Sequence, residues 1–427
     1  MQGTPAVFGI DIGTTSICAA AIEPGSGRFL AALTHKNRAM LPSADPWRKE
    51  QDAAVLLTEV HALIDALLAE GYTPTAFALT GQMHGIVYID GAGKPLSSLY
   101  TWQDGRGGLP LPGGSACMRL RLPEGYGFAT LLHMMETGTL PSGAVGFCTA
   151  ADLAAMDLTG SVCPLIHTTN AAAFGLFDMA EGKFLPQAEE MILAAGLAVP
   201  RVTERVEPVG KFRGVPVYCA IGDNQAAFRA AAWEGDVLLN FGTGSQVSLL
   251  SENHLPLPGM EVRPYLKGRF IQSGSALCGG RAYAALAACF AAFDRARGLE
   301  ADIYDTLGRL AEAALCDTDV PQVDTAFAGT REEPGRRGSI YSISEKNLTP
   351  GHLALGTLQG MVEELYLMYE KSGAKADSVV LSGNAARKNP LLAALAEKRF
   401  GLPARLCPLG EEAAVGAALA AEEEMQK

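Results

Sequence analysis

One short phrase rich in glycine and threonine occurs twice in this chain, and it limits the possible folds more than any other feature. An apolar run at residues 6–10 leads into residues 11–16, DIGTTS, and a second apolar run follows. About half a chain later, residues 241–245, FGTGS, lie between two apolar runs in the same way. Each copy predicts two strands joined by a tight turn, because glycine tolerates the backbone conformations that such turns need. Two hairpins so far apart indicate two halves that face one another across a cleft.

The length and the charge of the chain narrow the classes of protein to which it can belong. The chain has 427 residues, and at roughly 150 residues per domain two or three domains are expected. The net charge of −12 counts against nucleic-acid and anionic-membrane partners, which favour a basic face. It does not exclude phosphate ligands, since backbone amides bind phosphate without net positive charge.

The sequence indicates neither a membrane anchor nor a secretory signal. The uncharged stretch 158–177 contains Pro164, His167 and Asn170, which suit a bilayer helix poorly. The first residues, MQGTPAVFGID, have no basic region ahead of an apolar run. The nine cysteines form no C-x-x-C pair, which fits free thiols in a reducing compartment. We therefore expect a cytoplasmic protein.

Hydrophobic periodicity predicts that helices and strands alternate along the chain. A helix over about residues 51–70 is predicted by apolar residues at helical spacing: Leu56, Val60, Leu63, Ile64 and Leu67. The end of the chain predicts a helix near 353–370, a strand at 378–381, a helix from about 389, a short strand near 405 and a last helix to about 424. The boundary between domains is predicted near residues 211–214, which divides 1–212 from 213–427.

The two hairpin turns are candidate phosphate sites. In the first, Gly13 allows close approach of the backbone, and Thr14 and Thr15 offer hydroxyl and amide groups to an anion. Asp11, at the end of the first strand, is placed to hold a divalent cation directly or through water. In the second turn the corresponding residues are Gly242, Thr243 and Gly244. An ordinary β-hairpin turn is the alternative for either motif taken singly.

Two further segments near the end of the chain are rich in small residues. Residues 379–390, VVLSGNAARKNP, predict a buried strand, a turn at Gly383 and Asn384, and a helix. Such a turn lets a flat ring lie against the backbone, and a plain loop between strand and helix is the alternative. Residues 410–420 predict a small-residue helix, which suits either an interdomain hinge or close helix packing.

These four segments, in this order, resemble the FGGY carbohydrate kinases. Residues 11–16 and 240–245 are similar to the two phosphate motifs of the family, residues 382–386 to its adenosine motif and 410–420 to its second connecting helix. The adenosine motif departs from the usual Gly-Gly in having Ser382 before Gly383, and the chain is short for the family. The resemblance implies an α/β fold of two ribonuclease-H-like domains, of the actin/hexokinase ATPase type, flanking an interdomain cleft.

The resemblance also implies the roles of the two domains and of the catalytic groups. Domain 1–212 would carry the sugar and the first phosphate hairpin, and domain 213–427 the nucleotide and the catalytic aspartate. Asp223, in IGDNQA, matches the catalytic base of the family, and ATP with Mg²⁺ held by Asp11 would be required. The chemistry agrees, because transfer to an alcohol needs a base that accepts the hydroxyl proton. A helix N-cap is the alternative role for Asp223, since aspartate is favoured there.

The predicted sugar contacts come from two short phrases and one residue beside the base. His84 and Met83, in GQMHG, offer a hydrogen-bonding ring and an apolar surface, and core packing is their alternative. In WQDGR, Trp102 would shield one side of a chain-like sugar, and Asp104 would bind a hydroxyl. An ion pair between Asp104 and the neighbouring arginine is the alternative. Asn224, next to the base, is also expected to contact the sugar.

The Met-His pair resembles family members that act on ketoses, and WQDGR resembles those that phosphorylate sedoheptulose. The expected product is therefore sedoheptulose 7-phosphate, with D-xylulose as the alternative acceptor, followed by gluconate. A non-catalytic, sugar-responsive ATP-binding protein is the alternative from another functional class. The expected partners are a small-molecule sugar and ATP, without nucleic acid or membrane, and homodimer formation is left open.

Overall fold

Both predicted hairpins are present in the computed structural model, which describes residues 3–299, 302–330, 333 and 335–427. The chain forms two compact units. The first unit consists of Met1–Ala230, Arg263–Phe270 and Glu411–Lys427, and the second consists of Ala231–Val262 and Ile271–Gly410.

The first unit is built on a mixed sheet that contains the first hairpin. In spatial order, the strands on the main path of this sheet, as described, are Pro208–Phe212, Val215–Tyr218, Tyr72–Gly81, Thr4–Ile12, Ser16–Ile22 and Phe29–Lys36. The short strand Ile221–Gly222 also pairs with Tyr72–Gly81. Thr4–Ile12 pairs antiparallel with Ser16–Ile22 and parallel with Tyr72–Gly81. Its middle residues are fully buried, which explains the continuous apolar run in its sequence.

The helices of the first unit cover this sheet and the segments beside it. Their bounds are Ala53–Ala69, Ala116–Leu120, Gly127–Thr137, Ala150–Thr159, Thr168–Ala171, Pro186–Ala194, Asp223–Ala231 and Glu412–Met425. Ala53–Ala69 begins after Asp52, whose side chain accepts from the amides of Ala54 and Val55. The apolar residues that predicted this helix form its buried face. The prediction of this helix is thus confirmed to within two residues at its start.

The last helix, Glu412–Met425, approaches its neighbours closely because it carries small residues. A Cβ atom on Gly9 of the first strand would lie 1.8 Å from the Ala414 carbonyl oxygen. A Cβ atom on Gly416 would lie 1.7 Å from the carbonyl oxygen of Ala226. The small residues therefore serve close packing within the first unit, which was one of the two predicted roles of this segment.

The second unit contains the second hairpin in a sheet of similar design. The spatial order of its described strands is Glu261–Pro264, Phe270–Ala276, Ser245–Ser251, Asp236–Phe241, Ser378–Ser382 and Ala404–Leu406. Its described helices are Gly280–Ala296, Ile303–Ala313, Pro350–Ser372, Asn384–Lys388 and Leu391–Phe400. Asp236–Phe241 pairs antiparallel with Ser245–Ser251 and parallel with Ser378–Ser382. Both units thus pair a hairpin with a parallel strand that comes later in the chain.

The two units do not follow the boundary predicted between residues 212 and 213. Residues just after that boundary belong to the first unit, because Val217 pairs with Phe77 of the strand Tyr72–Gly81. The last helix also returns to the first unit. Asp223, which was predicted to belong to the nucleotide domain, consequently lies in the first unit.

Within the described ranges, no helix combines the length and the apolar character needed to cross a membrane.

Candidate active site

The predicted phosphate turn at residues 13–15 has its carbonyl groups bound by protein donors. Asn37 Nδ2 donates to the Gly13 carbonyl over 2.8 Å, and Gln51 Nε2 donates to the Thr14 carbonyl over 2.9 Å. Both donor side chains are buried. Because these donors compensate the negative ends of the carbonyl dipoles, the turn suits an anion that binds through amide groups. The three predicted residues therefore form a turn that fits a phosphate group.

Asp11 has the environment of a metal-binding carboxylate. Its Oδ1 atom is buried without a hydrogen-bond partner among the described residues. Burial, followed by the negative charges of Asp223 and Glu411, raises the pKa of Asp11 to about 8. Mg²⁺ prefers oxygen ligands, and its charge would favour the ionised carboxylate. In the described part of the chain, no group of three or more His, Cys, Asp or Glu side chains could hold a metal ion. The buried Oδ1 of Asp11, without a partner among the described residues, thus fits a ligand for Mg²⁺.

The register of the sheet brings Asp11 and Asp223 to the same edge. Thr80 is paired with Asp11 on one side and with Ile221 on the other. The chain turns into the helix Asp223–Ala231 directly after Gly222, so that Asp223 is the first residue of the helix and not a loop residue before it. The two carboxylates thus flank the end of one parallel strand.

Asp223 combines a raised pKa with a fixed backbone. Burial raises its pKa to about 6, whereas the amide of Asn224 and the charge of Arg263 oppose that rise. The Asn224 amide donates to Asp223 Oδ1 over 2.7 Å. The Gly222 amide donates to Thr169 Oγ1 over 2.9 Å, which fixes the backbone just before the helix. A carboxylate with this pKa is ionised at neutral pH and can accept a proton from an attacking alcohol.

The two predicted sugar contacts in the turn at residues 81–85 lie in different environments. Met83 is 5% exposed, and a Cβ atom on Gly222 would lie 2.7 Å from its Sδ. Burial against Gly222 favours the packing role of Met83 over a sugar contact. His84 is half-buried and has a φ of 71°, which is rare for a residue with a large side chain. Such a backbone conformation is often found at functional sites.

The His84 ring has a defined orientation. Its Nδ1 lies 2.8 Å from the Ala173 carbonyl oxygen, and because a carbonyl can only accept, this nitrogen carries the proton. In the neutral ring, Nε2 is then the acceptor. The ring stacks on Tyr126, with the centroids 4.2 Å apart. His84 therefore stays a candidate for a sugar hydroxyl, and Tyr126 joins it as an aromatic wall.

Trp102 and Asp104, both predicted to contact the sugar, differ in exposure. The Trp102 side chain is 46% exposed, and its Nε1 donates to Thr14 Oγ1 over 2.9 Å. Asp104 is fully buried: its Oδ1 accepts from Arg106 Nε over 2.6 Å and its Oδ2 from the Lys49 amide over 2.9 Å. Both oxygens of Asp104 are thus used inside the protein. This favours the alternative role of Asp104, a structural ion pair, over the predicted sugar contact.

In the second unit, the register of the sheet brings the second phosphate turn next to the adenosine turn. Asn240 is paired with Ser382 on the neighbouring parallel strand, so that the turns after the two strands meet. Gly383 has a φ of 89°, and a Cβ atom there would lie 2.6 Å from both Asn240 Oδ1 and the Phe241 carbonyl oxygen. Any side chain at residue 383 would displace the phosphate turn, so only glycine fits at this position. Asn384 begins the helix that follows.

The start of the helix Gly280–Ala296 holds the second phosphate turn. The Gly280 amide donates to the Gly242 carbonyl over 2.8 Å, and the Arg281 amide donates to the Thr243 carbonyl over 3.1 Å. The Ser245 hydroxyl, next in the turn, is buried without a hydrogen-bond partner among the described residues. As in the first unit, protein donors bind the turn carbonyls, and this arrangement fits a phosphate group.

Several residues of the site carry no distinct signal in the sequence. Gln51 and Thr169 are ordinary polar residues whose partners lie far away in the chain. Gln82 stands in the GQMHG phrase, where its position between a strand and the sugar contacts was a usable signal. Asn170 is buried and donates to the Ala220 carbonyl over 3.2 Å. Asn170 is thus a satisfied structural residue.

Comparison with family models matches both ends of the chain. Residues 6–108 match the N-terminal domain of the FGGY family of carbohydrate kinases, and residues 237–422 match its C-terminal domain. The chain is 27% identical to the sedoheptulokinase of Homo sapiens, with 98% of each chain covered. It is 26% identical to glycerol kinase 2 of Streptomyces avermitilis, with 97% of this chain and 87% of that protein covered.

The fold is also similar to that of solved kinases. The xylulose kinase of Rhodospirillum rubrum has a TM-score of 0.83 at 21% identity, with 98% of this chain and 90% of that chain covered. This likeness confirms the predicted α/β fold of two ATPase-type domains. The predicted interdomain cleft stays a prediction.

Proposed function

The chain belongs to the FGGY family of carbohydrate kinases, and from this premise we propose that it transfers the γ-phosphate of ATP to the terminal hydroxyl of sedoheptulose. It is an ATP-dependent carbohydrate kinase by family. The identity of the sugar, the role of each site residue and the use of Mg²⁺ are our proposals.

The observation that carries the proposed mechanism is that Asp11 and Asp223 lie at one edge of the same sheet, on either side of the strand Tyr72–Gly81. Asp223 accepts the proton of the terminal hydroxyl while that oxygen forms a bond to the γ-phosphorus. The bond between the γ-phosphorus and the β,γ-bridging oxygen breaks, and ADP leaves with the electron pair. Such a transfer depends mainly on positioning and on compensating the phosphate charge. A base with a pKa of about 6 is ionised under cellular conditions.

The two phosphate turns supply the positioning. Gly13, Thr14 and Thr15 bind phosphate through the turn whose carbonyls are held by buried donors. Gly242, Thr243 and Gly244 do the same in the second unit, and the turn at Gly383 and Asn384 carries the adenosine. Mg²⁺, when bound, would compensate phosphate charge, and Asp11 would hold it directly or through water.

Sedoheptulose is favoured by the full-length likeness to a sedoheptulokinase and by the shape of the candidate acceptor site. Trp102, which is exposed, and the stacked pair of His84 and Tyr126 offer aromatic surfaces to the sugar. The His84 ring adds a nitrogen for hydrogen bonding. A long open-chain sugar presents both C–H faces and hydroxyl groups to such surfaces.

The test is ADP release measured with a panel of sedoheptulose, D-xylulose, gluconate and glycerol, each with MgATP. We expect kcat/KM for sedoheptulose to exceed that of every other acceptor by at least tenfold, and the product to be the 7-phosphate. A higher kcat/KM for another sugar would reject the proposed substrate. ADP release at the same rate with and without every sugar would reject the proposed acceptor reaction.

A further inference from the structure

Three polar side chains around the first phosphate turn form a closed hydrogen-bonded ring. Thr14 Oγ1 donates to Gln82 Oε1 over 3.2 Å, and Gln82 Nε2 donates to Gln51 Oε1 over 2.8 Å. Gln51 Nε2 then donates to the Thr14 carbonyl over 2.9 Å, which closes the ring on the turn itself. Gln51 and Gln82 are buried, with exposures of 0% and 3%. We call Thr14, Gln82 and Gln51 the turn ring.

Trp102 adds a further donor to the turn ring, at the Thr14 hydroxyl. Its indole nitrogen can only donate, so Thr14 Oγ1 must accept this bond, which is 2.9 Å long. The Thr14 hydroxyl hydrogen is then directed to Gln82, whose amide oxygen must face Thr14 and whose amide nitrogen must face Gln51. Gln51 in turn presents its amide nitrogen to the Thr14 carbonyl. The Thr14 carbonyl, which can only accept, thus orients both amides, and the bond from Trp102 completes the hydrogen bonding of the Thr14 hydroxyl.

Trp102 is also the most exposed member of this chain of bonds. Its side chain is 46% exposed, in contrast to the two glutamines. The segment before it is anchored, because Thr101 Oγ1 donates to the Lys49 carbonyl over 2.8 Å. A Cβ atom on Gly85 would lie 3.3 Å from Thr101 Cα, so this segment runs beside the turn that carries His84. The segment that carries Trp102 thus lies beside the turn of His84, a predicted sugar contact, while the indole nitrogen is bonded to the phosphate turn.

We propose that Trp102 is a positioning residue that couples binding of the acceptor to the phosphate turn. An acceptor that packs on the exposed indole face holds Nε1 on Thr14 and so stabilises the turn ring and the turn that binds phosphate. Because coupling between two ligands is reciprocal, nucleotide binding must strengthen acceptor binding by the same factor. The coupling would also slow transfer of phosphate to water when no acceptor is present. This inference rests on the proposed function, since it requires an acceptor on the Trp102 side.

The experiment compares the affinity for MgADP with and without acceptor, by calorimetry on the full chain. The acceptor is the sugar with the highest kcat/KM in the panel. We expect the wild type to bind MgADP about tenfold more tightly with acceptor, within the usual range of coupling. Trp102→Phe keeps an aromatic face but removes the donor, and it should reduce this ratio to about one. Thr14→Val removes the hydroxyl and should have the same effect.

The double variant and a matched control decide between coupling and simple packing. If Trp102 acts through Thr14, the double variant should lose no more coupling than either single variant. Trp233→Phe, at an exposed position of the second unit, should keep the full tenfold ratio. If Trp102 is only a wall for the sugar, Trp102→Phe will change the KM of the acceptor and leave the MgADP ratio intact. That result, or additive losses in the double variant, would overturn the proposal.

Failure of the proposed function would have a different signature. If no sugar in the panel stimulates ADP release, the proposed acceptor reaction is rejected. The turn ring is then tested with MgADP as the sole ligand. Trp102→Phe and Thr14→Val should each weaken MgADP binding about threefold, and the double variant should weaken it no further. Unchanged MgADP affinity in all three variants would reject the role of Trp102 in holding the phosphate turn.

Discussion

At the scale of single residues, Asp223 is the group whose chemistry the fold tunes most clearly. Asp223→Asn keeps the size of the side chain and removes the proton acceptor. We expect kcat to fall by a factor of about 10² to 10⁴, as for other general bases, while the affinities for MgATP and sugar stay within threefold. Rapid-quench turnover and calorimetric binding measure the two effects.

The matched control for this variant is Asp302→Asn. Asp302 lies at a helix start as well, as the N-cap that accepts from the amides of Tyr304 and Asp305, and asparagine is an equally good N-cap. Turnover of Asp302→Asn should equal that of the wild type. If Asp223→Asn also keeps wild-type turnover, Asp223 is not the base and acts only as the residue that begins its helix.

Arg263 gives a prediction about pH. Its positive charge favours the ionised form of Asp223 and so partly offsets the burial that raises the pKa of Asp223 to about 6. Because the base acts when deprotonated, kcat/KM should fall tenfold per pH unit below about pH 6. Arg263→Gln removes the favourable charge, raises the pKa of Asp223 and should move this acid limb to higher pH. A limb that stays in place, or moves to lower pH, would contradict the assignment of the limb to Asp223.

Residue roles were predictable from the sequence where the neighbours along the chain determine them. Gly13 and Gly383 lie in turns because their flanking strands are local features. The burial of Asp104 and Met83, which decides between their two predicted roles, could not be predicted, since it depends on distant segments. Lys49 and Arg106 together occupy the Asp104 carboxylate, and Gly222 covers Met83. No local pattern distinguishes a buried carboxylate with two partners from one that faces a ligand.

At the scale of elements, a glycine allows the last helix to pack closely on the helix that begins at Asp223. A Cβ atom on Gly416 would lie 1.7 Å from the Ala226 carbonyl oxygen, in the helix that Asp223 begins. Gly416→Ala must therefore displace one helix. We expect a loss of about 1–3 kcal/mol of unfolding free energy from overpacking, with a fall in kcat because the base moves. Urea denaturation and steady-state kinetics check the two effects.

Gly308→Ala is the control for this change. Gly308 lies in the helix Ile303–Ala313, and no atom lies within 4 Å of its Cβ position. Alanine there should leave kcat unchanged and raise the unfolding free energy by up to about 1 kcal/mol, because alanine has the higher helix propensity. A Gly416→Ala protein as stable and active as the wild type would show that the two helices can separate without cost.

The elements themselves were largely predictable, because periodicity is a local signal. The helix Ala53–Ala69 and the strand Ser378–Ser382 lie close to their predicted bounds. The N-cap alternative for Asp223 placed the helix start within a residue of its position, whereas the separate short strand Ile221–Gly222 before it was not predicted. That strand exists through its pairing with Thr80, more than 100 residues earlier.

At the scale of the whole molecule, the sequence predicted two halves but not how the chain is shared between them. The first unit takes in Arg263–Phe270 and the last helix, although both follow the start of the second unit in the chain. Contacts such as Gly9 with Ala414 span most of the chain and leave no periodic trace. Repeated hairpins indicate the number of units. The boundaries of the units depend instead on which later segments of the chain pack back onto the first unit.

This division of the chain leads to a prediction about where each ligand acts. With MgADP at a hundred times its Kd, local opening of amides at its site should be opposed by about 2.7 kcal/mol, which slows hydrogen exchange about a hundredfold. We expect the greatest slowing in peptides that cover residues 241–245, 279–283 and 382–385, because the turns and the helix start that fit the nucleotide meet there. Acceptor without nucleotide should instead slow exchange most in peptides over residues 82–86 and 101–103.

Peptides over residues 303–313, remote from both predicted sites in the sequence, serve as the internal control and should exchange at the same rate throughout. Slowing of the same peptides by either ligand, or slowing by MgADP confined to the first unit, would contradict the assignment of nucleotide to the second unit and acceptor to the first.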